Sequence, residues 1–471
     1  MTPPLPPRLA PYLEDQAPLL QLASRFAAAG YSLYLVGGWL RDAISGRELS
    51  GNDIDLASNA RPGAIEALLG GWAEHLWLQG RRFGTIGARR DGLRFEVTTF
   101  RADIYHPDSR KPEVVFGDDI ETDLSRRDFT VNAMALALPA LDFVDPFDGL
   151  ADLAARRLRT PVAVEVSFLD DPLRMLRAAR FASSLELEPD AEVVEAMERH
   201  RGRLEIVSAE RIRDELSKLL VAPDPQAGLW LLARTRLADE FLPELNAMQL
   251  EQDPIHRHKD VLAHTIAVVA KTRPELRVRL AALLHDIGKP KTRGYAPGGV
   301  TFHHHEVVGA RMARERMVAL RYPNDLIEEV VTLVALHLRF HTYRMGWTDS
   351  AVRRYARDAG PLLDDLNHLT RCDCTTRNQK KAATLSRRMD ELELRIAELR
   401  EKEELARIRP ALDGRQVMEF LGIGPSATVG QALSFLLEER LEYGPMTEDD
   451  ARARLAEWAR ERGLDVPGRT A

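Results

Sequence analysis

The chain has 471 residues, 45% hydrophobic and 29% charged, with a formal net charge of −7. That is an ordinary globular composition, long enough for several domains, and it excludes a disordered or fibrous chain. The acidic balance excludes nucleic-acid binding by global charge, so any RNA contact has to come from local arginine clusters. No apolar run reaches the ~18 residues a membrane helix needs, and the two cysteines, Cys372 and Cys374, are too few for a disulfide framework and suit a reducing compartment.

Residues 1–30 read as a proline-rich N-terminal arm and a first helix, without the apolar core of a signal peptide. From 31 to about 155, strand-like runs ("SLYLV", "DIDLA", "RFEVTTF") alternate with helical segments, which predicts a compact α/β head. Within it, "YLVGGWLRDAISGRELSGNDIDLAS" (34–58) runs a strand into Gly37-Gly38, where the backbone can turn and approach a ligand, and then into a helix whose free N–H groups favour phosphate. Asp53 and Asp55 fall on one face of a strand, where two carboxylates repel unless a hard cation such as Mg²⁺ joins them. Glu96, alternating with apolar positions in "RFEVTTF", is a third carboxylate that could serve the same ion or simply face solvent. In "DLSRRDFTVNAMAL" (123–136), Arg126 and Arg127 offer guanidinium forks suited to phosphate.

From 156 to 250 helical periodicity dominates. "LDDPLRMLRAARFA" predicts a helix opened by Pro172 and capped by Asp171. Arg174, Arg177 and Arg180 recur every three residues on it and demand anionic or hydrogen-bonding partners. "VSAERIRDELSKLL" (207–220) reads as a helix of mainly structural purpose, with an S-x-E start. Ten of the thirteen histidines lie between His256 and His368, marking a third module over 251–380. A helical tail fills 381–471; its stripe Leu385, Met389, Leu392, Ile396, Leu399 predicts a packing helix rather than a coiled coil.

The order GG-x-x-R-D, D-I-D, R-R-D-F-T-V-N-A-M-A, "DPFDGLADL" and D-D-P-L-R resembles the bacterial CCA-adding tRNA nucleotidyltransferase and poly(A) polymerase family. The resemblance implies a polymerase-beta-like nucleotidyltransferase head followed by mostly α-helical neck, HD and tail domains. It further implies addition of C, C and A to the tRNA 3′ end from CTP and ATP, untemplated, with pyrophosphate released. Asp53 and Asp55 would hold Mg²⁺, and Gly37, Gly38, Arg41, Arg127, Arg177 and Arg180 the nucleotide. Asp171 and Arg174 would read the base edge, and Asp170 stands where Glu is usual. Poly(A) polymerases usually carry Arg in place of Asp170 and a basic C-terminal extension, and this chain has neither. CC-only enzymes shorten the segment before the second motif, which is full length here ("TFRADIYHPDSRKPEVVFGDDIETDL"); A-only addition is left open.

His264, the His285-Asp286 pair, His305-x-x-x-Gly309, His337 and Asp373 occur in the order of the HD phosphohydrolase superfamily. That resemblance implies an imidazole-carboxylate site for Ni²⁺, Co²⁺ or Mn²⁺, with metal-activated water as the nucleophile. A reading of another class makes the HD module the working enzyme and the head an RNA-binding platform, which the intact Asp53, Asp55 and Arg174 speak against. The expected setting is cytoplasmic, with tRNA, CTP and ATP as partners, no membrane, and a monomer or homodimer.

Overall fold

The computed structural model describes residues 6, 9, 17–47, 52–101, 104–106, 109–113, 116–250, 260–296, 299–342, 347–374, 379–403, 408–464 and 466. Most of the expected N-terminal arm lies outside them. The chain divides into two units, Met1–Asn246 and Ala247–Ala471.

In the first unit, helix α1 (Ala17–Ala28) precedes β1 (Leu33–Val36), α2 (Gly37–Ser45), β2 (Asp53–Ser58) and α3 (Pro62–Leu69). Strands β3 (His75–Trp77), β4 (Thr85–Arg90) and β5 (Leu93–Thr99) follow, then a hairpin of β6 (Ile104–His106) and β7 (Ser109–Glu113). Helix α4 (Ile120–Ser125) leads to β8 (Ala135–Leu138), β9 (Phe143–Val144) and α5 (Gly149–Ala154). Seven strands form one sheet in the order β3-β4-β5-β2-β1-β8-β9, antiparallel except for the central β2–β5 pair.

Alternation explains which side does chemistry. Ile54 and Leu56 of β2 and Phe95 and Val97 of β5 are buried in a core shared with Leu22 and Phe26 of α1 and Leu40 of α2. Because side chains of a strand alternate, Asp53, Asp55 and Glu96 are turned to the other face. Each fully buried apolar side chain contributes roughly 1.5–3 kcal/mol, so a one-residue slip that would bury the carboxylates is strongly opposed. The register sets Asp55 beside Glu96 and Asp53 beside Arg94.

A short parallel pair, β10 (Arg157–Leu158) with β11 (Glu188–Pro189), joins the sheet region to helices α6 (Val164–Asp170), α7 (Leu173–Ser184), α8 (Ala191–His200), α9 (Ala209–Leu220) and α10 (Pro225–Arg234). Helix α10 crosses α7 closely at Gly228, where an added Cβ would lie 2.4 Å from the Ala179 carbonyl oxygen. Two expected caps differ. Asp171 ends α6 and accepts from the Leu173 N–H at 3.2 Å while Pro172 occupies the cap position of α7; Ser208 stands at the α9 cap without a side-chain cap hydrogen bond.

Among its described residues the second unit is helical apart from one hairpin. Its helices α11 (Val261–Lys271), α12 (Leu276–Leu284), α13 (Lys289–Thr292), α14 (His305–Ala319), α15 (Asn324–Leu336), α16 (Asp349–Ala359) and α17 (Leu363–Asp373) bury Ile266, Leu280, Val330 and Leu366 among them. The hairpin, β12 (Arg293–Ala296) with β13 (Gly299–Phe302), lies between α13 and α14. The steric need for glycine falls on Gly288, just after the His285-Asp286 pair: a Cβ there would sit 2.3 Å from the His305 carbonyl oxygen and 2.7 Å from the Gly309 nitrogen, whereas a Cβ at Gly309 would meet nothing nearer than 3.4 Å. Helix α18 (Gln379–Glu403) buries Met389, Leu392, Ile396 and Leu399, as a packing stripe should. Helices α19 (Gly414–Leu421), α20 (Ala427–Tyr443) and α21 (Glu448–Glu461) enclose a small core around Val417, Leu436 and Trp458. Among the described residues no helix is long and apolar enough to cross a membrane.

Candidate active sites

The first site is on the polar face of β2. Gly37 adopts φ +79°, and a Cβ there would stand 3.0 Å from Asp55 Oδ2 and 3.7 Å from Arg127 Nη1. Only glycine combines that backbone angle with so close an approach. The surrounding protein, and then the charges of Glu96 and Asp53, push the Asp55 carboxyl above its ordinary range against the pull of Arg127. Arg94 lies across the outer carboxylates, 2.9 Å from Glu96 and 3.8 Å from Asp53. Three clustered carboxylates, one resisting ionisation and two drawing in a guanidinium, are a donor set suited to a hard oxygen-seeking cation.

A cleft of about 640 Å³ opens beside them, lined by Gly38, Trp39, Asp42, Asp53, Asp55 and five cationic side chains: Arg41, Arg47, Arg177, Arg180 and Lys218. Arg41, Arg177 and Arg180 gather around the Phe181 ring at 5.5, 5.5 and 4.4 Å. Each is held by a carboxylate: Arg41 by Asp42 at 2.8 Å, Arg177 by Asp128 through Nε at 2.7 Å, Arg180 by Glu215 at 3.0 Å. Burial alone would raise the Asp128 carboxyl, but Arg177, the Asn132 amide and Arg174 hold it far below the usual range. Asn132 also accepts from Arg41 at 2.7 Å, tying the two halves of the motif pattern together. Arg127 is anchored by Asp123 at 3.2 Å, and its buried Nε has no hydrogen-bond partner.

Of the residues expected to bind nucleotide, Gly38, Arg41, Arg177 and Arg180 line this cleft, and Gly37 and Arg127 adjoin Asp55. Asp171 and Arg174 face elsewhere. Asp171 pairs with Arg211 at 3.2 Å, while buried Arg174 donates to the Ser167 hydroxyl at 2.8 Å and to the Arg126 carbonyl. The helix read as mainly structural, α9, supplies Lys218 to the cleft and buried Glu215 as the partner of Arg180, a correction whose signal was the cation count of the facing helix: three arginines required acids from a neighbour. The third motif is a brace, in which Asp145 accepts from the Gly149 and Leu150 N–H groups at 2.7 and 2.9 Å and buried Asp152 accepts from Thr130 at 2.7 Å.

The second site, in the second unit, is built from the ends of several helices. His285, His305 and His337 each point Nδ1 at the backbone carbonyl three residues earlier, at 2.8, 2.8 and 2.7 Å, which leaves Nε2 aimed inward. Such carbonyls fix the tautomer and orientation of metal-ligating imidazoles. Asp286 is 3.2 Å from His285, 3.5 Å from His264 and 3.4 Å from His305, and Asp373 is 2.9 Å from His264. The ligand atoms of His264, His285 and Asp286, and those of Asp286, His305 and His337, all lie within 4.8 Å of one another. The buried Nε2 atoms of His305 and His337 have no hydrogen-bond partner. All six expected residues therefore meet, and the orphaned nitrogens fit a transition metal.

Burial opposes a charge on His285, but Asp286 and Asp373 outweigh it and push its pKa up to about 10. Burial, then the His285 charge, pushes His337 down to about 3. Lys289, 2.7 Å from Asp286, and His341, 3.8 Å from Asp373, also belong to the surroundings and were not expected. Their spacing from known members, three after Asp286 and four after His337, places each one helical turn away.

Family models match along the chain: the poly A polymerase head domain at residues 33–159, a probable RNA and SrmB-binding site of polymerase A at 186–249, and the HD domain at 261–399. An A-adding tRNA nucleotidyltransferase of Deinococcus radiodurans is 35% identical over 91% of this chain and 95% of its own length. A CC-adding tRNA nucleotidyltransferase of Thermus thermophilus is 35% identical over 74% and 80%. A CCA-adding enzyme of Bacillus pumilus is 39% identical over 47% of this chain and 54% of its own. In fold, the chain is similar to the Bacillus stearothermophilus CCA-adding enzyme in complex with CTP, with a TM-score of 0.66, 24% identity, and coverage of 95% of this chain and 98% of that one.

Proposed function

This chain belongs to the tRNA nucleotidyltransferase family, and from that premise we propose that it adds C, C and A to the 3′ end of tRNA from CTP and ATP without a nucleic-acid template. The observation that supports this reading most is the convergence of Asp53, Asp55 and Glu96 beside a cleft carrying five cations. Mg²⁺ held by Asp53 and Asp55 would supply the charge that acidifies the terminal ribose hydroxyl and offsets that of the triphosphate. In the reaction a bond forms from the ribose 3′-oxygen to the α-phosphorus, the bond to the bridging oxygen of pyrophosphate breaks, and the hydroxyl proton passes to solvent. Arg41, Arg177 and Arg180 bind the triphosphate, oriented by Asp42, Asp128 and Glu215 so that little ordering remains at the moment of reaction. Gly37 and Gly38 let the backbone approach the phosphates. Base reading by Asp171 and Arg174 requires that they exchange Arg211, Ser167 and the Arg126 carbonyl for the base edge.

A-only addition is the second reading, favoured by the A-adding relative that matches 91% of this chain. The full-length segment between β5 and α4, with its β6–β7 hairpin, speaks against CC-only addition. The test uses one tRNA ending before CCA and one ending in CC, with CTP, ATP or both, sized at single-nucleotide resolution. Full addition lengthens the first by two with CTP and by three with both; A-only addition lengthens only the second. No extension of either overturns the assignment.

We further infer a cytoplasmic enzyme of five parts: an N-terminal arm and first helix (1–30), the head (31–155), a neck (156–250), the HD domain (251–380) and a tail (381–471). His264, His285, Asp286, His305, His337 and Asp373 would hold Ni²⁺, Co²⁺ or Mn²⁺ in the HD domain, and the activity assigned to that site is phosphoester hydrolysis. Elemental analysis, with hydrolysis of a 2′,3′-cyclic nucleotide as readout, tests it; a protein that takes up none of these ions overturns it.

A further inference from the structure

The hairpin β12–β13 is joined at both ends to the histidine site. Its first strand follows Asp286 and Lys289, and its second ends at Phe302, whose carbonyl orients His305. Between Ile287 and His305 the chain has Lys289, Lys291, Arg293 and three histidines and not one acid, although the whole protein is net acidic. The strand period puts Arg293 and Tyr295 on one face, and cross-strand pairing sets Phe302 and Val300 opposite them on that face. Tyr295 is 76% exposed, with the Arg293 guanidinium 5.4 Å from its ring centre. At the other end Lys289 lies 5.6 Å over the Phe302 ring while bonding Asp286 at 2.7 Å. Lys291 and His303 are exposed beside it.

An exposed aromatic ring among exposed cations on a small sheet offers a stacking face beside groups that attract phosphate. Unpaired bases have the matching chemistry: a π-face for the ring and phosphates for the cations. A duplex hides its base faces and cannot use Tyr295. We propose that this hairpin is a binding surface for single-stranded RNA, with a base on Tyr295 and phosphates on Lys291 and Arg293, and that the strand runs toward Lys289. This contact is additional to the cleft of the first unit and does not depend on the histidine site being hydrolytic.

The test is fluorescence anisotropy of a labelled 12-nucleotide RNA with the full-length protein, from low to moderate salt, together with cross-linking of a 4-thiouridine version mapped by mass spectrometry. Y295A should weaken binding about tenfold while Y295F does not, as loss of one stacked base predicts. K291A/R293A should reduce the slope of log affinity against log salt by roughly 1.4, at ~0.7 per phosphate contact on a single strand. Cross-links should map to 291–303, and a duplex of equal length should bind these variants and the parent alike. Unchanged affinity and slope in both variants, or cross-links confined to 1–246, overturn the proposal. So does equal loss of duplex binding, which would make the hairpin a general polyanion patch. Unchanged metal content of each variant shows that the adjoining site has stayed folded.

Discussion

The two units build their candidate cation sites from opposite materials. In the first, the groups are all carboxylates, displayed on an open sheet face, and their orientation comes from strand register and from the apolar side chains on the reverse of β2 and β5. In the second they are mostly imidazoles, and His285, His305 and His337 are each aimed by a backbone carbonyl three residues earlier. The contrast teaches that a site's surroundings follow its substrate. A triphosphate brings its own oxygen ligands and needs an open, cation-lined cleft, whereas a site that ligates its metal mainly through protein can be closed around it.

The contrast breaks most visibly if the sites are not separable. D53A or D55A should reduce nucleotide addition at least ~10³-fold, the scale for loss of a group stabilising developing charge, and leave metal uptake by the histidine site unchanged. H285A with D286A should abolish transition-metal binding, measured by elemental analysis, and leave addition to a tRNA ending in CC within about twofold. Loss of both activities in either variant would unite what the geometry divides.

A smaller effect sharpens how the cleft is held. D128N removes the carboxylate that anchors Arg177, and because Arg177 is about one-third exposed the cost in stability should be about 2 kcal/mol, below the value for a fully buried pair. The Asp128 carboxyl lies far below its unfolded value, so its stabilisation is fully present above that unfolded value, near pH ~4, and is lost as pH falls through the lowered one. Acid titration of the unfolding free energy should therefore be flatter for D128N than for the parent below that pH.

The smallest effect concerns Asp55, whose shift has the opposite sign. A carboxyl raised on folding contributes stability present below its unfolded pKa and lost as pH rises through the folded one. At neutral pH, without added divalent ions, D55N should accordingly raise the melting temperature by on the order of 1 °C. Saturating Mg²⁺ with CTP should reverse the order, because only the parent gains from them.

Much of this was legible in the chain. D-I-D and "RFEVTTF" gave the face by alternation alone, and the motif order gave the α/β head with helical domains behind it. The partners of the arginine stripe were not legible, because Asp128 and Glu215 lie 49 and 35 residues from Arg177 and Arg180 and only the packing of α7 on α9 brings Glu215 in. The same holds for Asp171, whose pairing with Arg211 depends on a helix crossing. The carbonyl supports of the histidines were hidden for another reason, since a backbone acceptor leaves no mark on the sequence.

The most direct test of a carboxylate site for a hard cation and an imidazole site for a transition metal is anomalous diffraction from crystals soaked with CTP and Mn²⁺ and, separately, with Ni²⁺ at low concentration. Ni²⁺ should scatter among His264, His285, His305 and His337 and be absent from the head, while Mn²⁺ with CTP should appear between Asp53, Asp55 and the triphosphate. Nickel in the head with none among the histidines, or no manganese at Asp53 and Asp55 when CTP is bound, would contradict the account.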